Sequence, residues 1–559
     1  MSEQQRVNLA IFICLVIFAV YYFVAAPTPE PQKQPQPPTQ QQPRADSEQQ
    51  PRRDSEIQPP AEPRERPEKS APPKEESTPV DVPEQTLSFE TKVLTGELDN
   101  RSGGYPKLQL KDYDERTEDN EGARPVSLVW PTRTEQPEPP RGRQQARIEW
   151  SGAVDARGGA ELERRGDDSL VLRGAGPSGV QRTVRIEPRQ NEYALDYTVR
   201  VRNDTDASLP VGAKLVLSLR PKEEGGGGSF LVPSADRVHG LCARDGDVER
   251  FTAEDLNDDG AFTAAERVGW VALDRQYFVV ALLAADGAKP LGCKVRAQDE
   301  TVLVELVLQE GPVPPGGQWE RKLTLFAGPK RSRDLAAVEP QLTEVIDYDL
   351  GFIPLGFLAR PMVFLMNVFH GWTNSWGVAI ILLTFFVKLL LFPVTFKSSL
   401  SMRKMQLLRP ELERIRKQYE NDRERQQLEQ MKLFREKGVN PVGGCLPMLL
   451  QMPVWIALYR SLWSAVDLYQ QSFLWLDDLT ARESFPFLAI AFGGLTILQQ
   501  RLTPMSMDNQ QAKVMMYAMP IVFALFMVSL PSGLVLYIVV NSILTIFQQL
   551  AINRRQVSL

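Results

Sequence analysis

Residues 376–396 read WGVAIILLTFFVKLLLFPVTF, an apolar run whose only charge is Lys388. At 1.5 Å per residue a helix of this length matches the roughly 30 Å hydrocarbon core of a bilayer. A lysine in the middle of a spanning helix costs about 2.5–3.5 kcal/mol on insertion scales. It lowers that cost by facing a hydrated cavity or by snorkelling toward headgroups. Lys388 lies nine residues before Lys397, too deep to escape wholly by the second route, so the cavity is preferred. Thr384 stands one turn away on the same face.

Working outward, the chain is mostly apolar from residue 352. Ile353–His370 carries Arg360 and Pro361 among Phe, Leu, Met and Val, and reads as an interfacial amphipathic helix within a 346–374 segment. Further spans are expected at 442–466, 485–502, 516–530 and 532–551, making residues 375–559 a five-helix core. Pro531-Ser532-Gly533 forms the turn between the last two. Asn541, Thr545 and Gln548 follow i, i+4, i+7 spacing on the final span, while Gln451 sits between Pro447 and Pro453. Gln499 and Gln500 extend the polar set. These groups either line the cavity with Lys388 or serve as interhelical hydrogen-bond glue.

Charge orients the spans. The 397–437 segment holds Lys397, Arg403, Lys404, Arg409, Arg414, Arg416, Lys417 and further basic residues, and the positive-inside rule makes it cytoplasmic. Asp467, Asp477, Asp478 and Glu483 against Arg482 let the 467–484 loop lie outside. Threading back puts 27–350 outside and both termini inside. Within the basic segment Met402, Met405, Leu408, Leu412, Ile415 and Tyr419 recur at helical steps, and Leu428, Met431 and Phe434 repeat the pattern after a turn near 420–422. Two antiparallel helices seamed along these residues are expected over 398–438. They form a docking surface or an inert solvated hairpin.

The N-terminal run 7–26 is uncharged and long enough to span, with Arg6 before it and Pro27 after it. A retained signal anchor over 1–26 is preferred to a cleaved signal peptide, since no clean small-residue cleavage site appears. Residues 27–85 are dominated by Pro, Gln, Glu and Arg and read as an extended linker.

Residues 86–345 alternate in the manner of strands. In NEYALDYTVRVRND (191–204), Tyr193, Leu195, Tyr197, Val199 and Val201 share one face, and Asp196, Thr198, Arg200 and Arg202 the other. Similar runs at 184–186, 215–219, 271–283 and 301–308 make an all-β sandwich the natural architecture. The fold class is therefore an α-helical polytopic membrane protein with an external β-sandwich domain. Asp255, Asn257, Asp259, Gly260 and Glu266 match a calcium-loop spacing, with the Ala261 carbonyl as a further ligand. The plainer reading is a solvated acidic turn. Cys242 and Cys293 could pair outside the cell, but two buried thiols are preferred.

Composition excludes little by itself: net charge is −6 and mean hydropathy −0.26, averages that hide a polar front and an apolar back. His239 and His370 are the only histidines, too few for a histidine metal site or triad. No nucleophile–base constellation is evident, so an enzyme is disfavoured. A small-solute transporter is the runner-up, weakened by the lack of an internal repeat.

The segments LTFFVKLLLFPVT, VNPVGGCLPMLLQMPVWIALY and LPSGLVLYIVVNSILTIFQQ resemble the YidC/Oxa/Alb insertase family. Weaker likeness reaches GWVALDRQYF and LFAGPK, so the Gram-negative type with a large periplasmic domain fits best. The resemblance implies an inner-membrane insertase with a periplasmic β-supersandwich and a hydrophilic groove. That groove opens to cytoplasm and lipid and attracts polar segments of a client. Its implied partners are nascent membrane proteins and the bilayer, with the Sec translocon and the ribosome as candidates. Apart from calcium at the 255–266 loop, no cofactor is implied. Lys388 occupies the position where the family usually has Arg, which keeps the charge but loses the bidentate fork. The short tail after Ala551 leaves ribosome contact to the 398–438 hairpin and the 503–515 loop.

Overall fold

The computed structural model describes residues 82–554 except 102, 115–124, 129–145, 154–159, 167–168, 177–178, 220–237, 286–290, 350–354, 421, 439–445 and 503–509. The expected anchor at 1–26 and nearly all of the 27–85 linker lie outside the described residues.

The alternating segment that reads most clearly becomes strand Ala194–Asn203, with Leu195, Tyr197, Val199 and Val201 buried on one face. It pairs antiparallel with Val180–Pro188 on one side and Gln318–Pro329 on the other. Around it grows a thirteen-stranded antiparallel sheet. A second sheet holds four strands: Thr86–Glu90, Leu94–Asp99, Lys107–Asp114 and Pro125–Ser127. The two meet where the buried hydroxyls of Tyr105 and Tyr197 share a hydrogen bond. Tyr193 also donates to Asp112 across this junction at 3.0 Å.

Two expectations change here. The run at 271–283 is two strands, Phe262–Asp274 and Phe278–Ala284, because Tyr277 adopts a left-handed φ of 71° and turns the chain back. Asp274, Arg275 and Gln276 form a polar break at this turn, which reading 271–283 as one run passed over. Cys242 and Cys293 are joined in a disulfide rather than kept as two thiols, with Cα atoms 6.5 Å apart. Their strands, His239–Arg244 and Leu291–Gln298, both pair with Phe262–Asp274. Sequence spacing does not reveal that pairing.

Ten α-helices are described. α1 (Ala253–Asp258) and α2 (Ser332–Val338) belong to the β-rich part. α3 (Gly356–Thr373) corresponds to the expected interfacial helix. α4 (Trp376–Leu407) runs eleven residues beyond the expected span before Pro410 opens α5 (Arg409–Gln418). α6 (Arg423–Glu436) completes the hairpin. α7 (Leu446–Ser464), α8 (Phe487–Leu502), α9 (Gln510–Met527) and α10 (Ser532–Arg554) follow. By length and apolarity alone, α4 and α10 qualify as spans.

Burial separates the two parts. Among the described residues every exposed large hydrophobic side chain falls between Phe357 and Leu550, and none lies on the sheets. A soluble surface does not carry so much exposed apolar area, whereas a lipid-facing one requires it. The parts are tied at one end. Arg331 donates to Asp467 at 2.7 Å and to the Tyr113 hydroxyl at 2.7 Å, and Tyr469 donates to the Asp114 carbonyl at 2.8 Å. The loop after α7 also caps α10, where the Ser532 and Gly533 amides donate to Ala481 and Leu479 at 2.7 and 2.9 Å.

Candidate functional site

α4 has two unlike sides. Ile380, Leu383 and Val387 are buried, whereas Phe385, Leu389 and Leu390 point outward. Lys388 is half-buried between these faces. Its ammonium donates to Asn541 Oδ1 at 3.3 Å and to Thr545 Oγ1 at 2.8 Å, both on α10. The Thr545 hydroxyl passes its own proton to the Asn541 carbonyl at 2.7 Å. Further along, Gln548 donates to Thr395 Oγ1 at 3.1 Å. Higher numbers on α4 thus meet higher numbers on α10, so the two helices run parallel.

Of the six residues expected to form the site, Lys388, Asn541 and Thr545 meet directly. Gln548 extends their line along the same seam. Gln451 is apart from them, donating to the Tyr537 hydroxyl at 3.0 Å and so linking α7 to α10. Thr384 departs from the expectation: it is 1 % exposed and donates back to the Ile380 carbonyl at 2.7 Å. A threonine in a helix has this local acceptor always at hand. Tyr537 and Thr395 were not anticipated. Their one signal was a polar group at helical spacing from Asn541 or Lys388.

The basic hairpin packs through Leu408, Leu412 and Leu433, flanked by Met405, Ile415 and Phe434. Leu428 and Met431 were expected in this seam but are 63 % and 55 % exposed, because Leu433 takes the inner position. Arg403, Lys404 and Arg409 are half-buried, with Arg409 donating to Glu413 at 3.0 Å. Arg414, Arg416 and Lys417 are exposed.

The calcium-like residues are not gathered around a point. Asp255 lies inside α1 and closes a capping box with Thr252. Asn257 donates to the Asp299 carbonyl at 3.0 Å. Asp259 is the C-cap of α1, Ala261 follows it, and Glu266 sits in strand Phe262–Asp274. A helix over 253–258 replaces the loop that the spacing requires. Among the described residues no three His, Cys, Asp or Glu side chains converge as a metal site.

Two family models divide the chain between them. Residues 86–365 match the YidC periplasmic domain, and residues 368–558 match the 60Kd inner membrane protein. The chain belongs to the YidC membrane protein insertase family. A curated YidC insertase of Anaeromyxobacter dehalogenans is 35% identical, covering 85% of this chain and 86% of its own. Another, from Nitrosospira multiformis, is 32% identical over 84% of this chain and 81% of its own. A crystal structure of an active YidC insertase with its first transmembrane domain resolved aligns at 19% identity. It covers 85% of this chain and 94% of that one, with a TM-score of 0.36. A galactose mutarotase-like protein from Lactobacillus casei aligns to 44% of this chain, at 12% identity and a TM-score of 0.31. With the YidC family established, the exposed apolar helices belong to a membrane protein, and the β-rich part is its periplasmic domain.

Proposed function

We propose that this insertase passes the polar flank of a nascent membrane protein along a hydrated groove between α4 and α10, with Lys388 as a transient counter-charge. The observation that carries this reading is the placement of the Lys388 ammonium against Asn541 and Thr545. An ammonium has three protons to donate. Two are engaged, which leaves one for a carbonyl or carboxylate moving past. A client's apolar helix gains free energy in lipid, but its polar flank meets a desolvation barrier. A polar seam shortens the low-dielectric distance that flank must cross. The outward Phe385, Leu389 and Leu390 let the apolar helix leave sideways.

The groove belongs to a five-helix core of α4, α7, α8, α9 and α10 in the inner membrane, with both termini cytoplasmic. Parallel α4 and α10 support this reading, since three intervening spans return the chain to the same direction. The loop after α7 meets the β-rich part, and the basic hairpin follows the far end of α4, as the charge distribution requires. An anchor at residues 1–26 completes the topology.

Reconstituted vesicles test the groove. A small single-span protein is offered without nucleotide, and its protease-protected fraction is measured. Lys388→Ala is expected to lower insertion more than Lys388→Arg. Equal insertion by both variants and the parent chain would remove Lys388 from the mechanism.

A further inference from the structure

An open polar pocket of about 310 Å³ lies beside the start of α3, lined by the 246–250 turn, the 344–349 connector and the first turn of α3. Its charges are mixed: Arg250 and Arg360 stand among Asp247, Glu344, Asp347 and Asp349. Several walls are fixed by other contacts. Asp347 is paired with Arg460 of α7 at 3.1 Å, and Asp349 Oδ1 accepts the amides of Leu355 and Gly356 at 2.8 and 3.0 Å. Arg250 donates to the Glu344 carbonyl at 2.6 Å, holding the connector against the turn.

A separate observation says what the cavity faces. On α3, Phe357 and Phe364 are 75 % and 66 % exposed, and Arg360 lies between them on the same helical stripe. Exposed Phe rings on a helix beside membrane spans enter the headgroup–acyl boundary, where a neighbouring guanidinium meets phosphates. The rim of the cavity therefore lies at headgroup depth.

We propose that this cavity binds the headgroup of an aminophospholipid, with Arg360 on the phosphate and Glu344 and Asp247 on the primary ammonium. With Asp347 and Asp349 held as above, Glu344 and Asp247 still line the cavity, and their charge disfavours a purely anionic headgroup. A quaternary choline fills the same space but has no N–H to donate, so it loses the charge-assisted hydrogen bonds. The site rests on the interfacial reading of α3 and is independent of the Lys388 groove.

The test offers the purified full-length protein equal amounts of phosphatidylethanolamine, phosphatidylcholine and phosphatidylglycerol, and counts retained lipid by native mass spectrometry. Phosphatidylethanolamine is expected to exceed phosphatidylcholine by about tenfold, the worth of one hydrogen bond to a charged group. Glu344→Gln should abolish that preference, and Arg360→Gln should lower retention of both zwitterionic lipids alike. Melting of each variant without lipid separates a lost site from a lost fold, and Asp247→Asn, on an exposed turn, replaces any variant that melts early. Equal retention of the two zwitterionic lipids, a preference for phosphatidylglycerol, or indifference to all three substitutions would overturn the proposal. No client protein is present, so the result is separate from the groove's role in insertion.

Discussion

Asn541 accepts a hydrogen bond from the Lys388 ammonium on its side-chain oxygen, and that contact ties stability to function in a separable way. Removing one partner of a buried charged hydrogen bond leaves the other unsatisfied and costs about 1–3 kcal/mol or more, whereas removing both is nearly neutral. Asn541→Leu is therefore expected to lower the melting temperature in detergent and to reduce insertion. Lys388→Met combined with Asn541→Leu should restore melting while insertion stays low. Recovery of both would make the pair structural glue. Glu305 sets a second residue-scale expectation. Burial pushes its carboxyl up, but bonds to Lys214 and Arg296 at 2.8 Å outweigh burial and hold it below the ordinary glutamate range. A depressed folded value contributes stability above the unfolded value and loses it as pH falls through the folded one. The parent chain should thus melt earlier on acidification in that window, and Glu305→Gln should flatten the dependence. Lys388, Asn541 and Thr545 were legible in sequence because a charge inside a span leaves few places to point. Thr384 was misread because spacing gives a face but not whether a hydroxyl turns back to its own backbone.

Among the elements, the helical hairpin offers the clearest contrast. Leu412 is buried in its seam, and Leu428 is mostly exposed. Leu412→Asp should open the hairpin to limited proteolysis at 410–436, while Leu428→Asp should leave the digestion pattern unchanged. The reverse result would restore the seam read from periodicity. Period 3.6 established both helices, but two neighbouring apolar stripes on α6 competed, and only packing chose Leu433. Strand Ala194–Asn203 was legible because from Leu195 onward its alternation and its burial coincide. The turn at Tyr277 was signalled by Asp274, Arg275 and Gln276 between two apolar runs, a break that the single run over 271–283 passed over. At the start of α4, a side chain on Gly377 would meet the Phe473 ring at 2.0 Å. Gly377→Val should therefore loosen the loop after α7 and lower the melting temperature.

The whole molecule couples a disulfide-bonded sheet domain to a lipid-exposed helical one. The Cys242–Cys293 link spans 51 residues, and closing such a loop is worth about 2–4 kcal/mol. Reducing it, or substituting both cysteines by Ala, should lower the first melting transition without changing insertion per folded molecule. A loss of insertion at full folding would give the link a functional role. The bond also agrees with a periplasmic domain, since such links persist in oxidising compartments.

Lys388 and its acceptors on α10 are separated by 153 and 157 residues. At bacterial synthesis rates that gap takes about ten to thirty seconds, during which the ammonium has no α10 to meet. On the groove proposed above, a newborn copy cannot yet offer the Lys388 seam to its own first core helix.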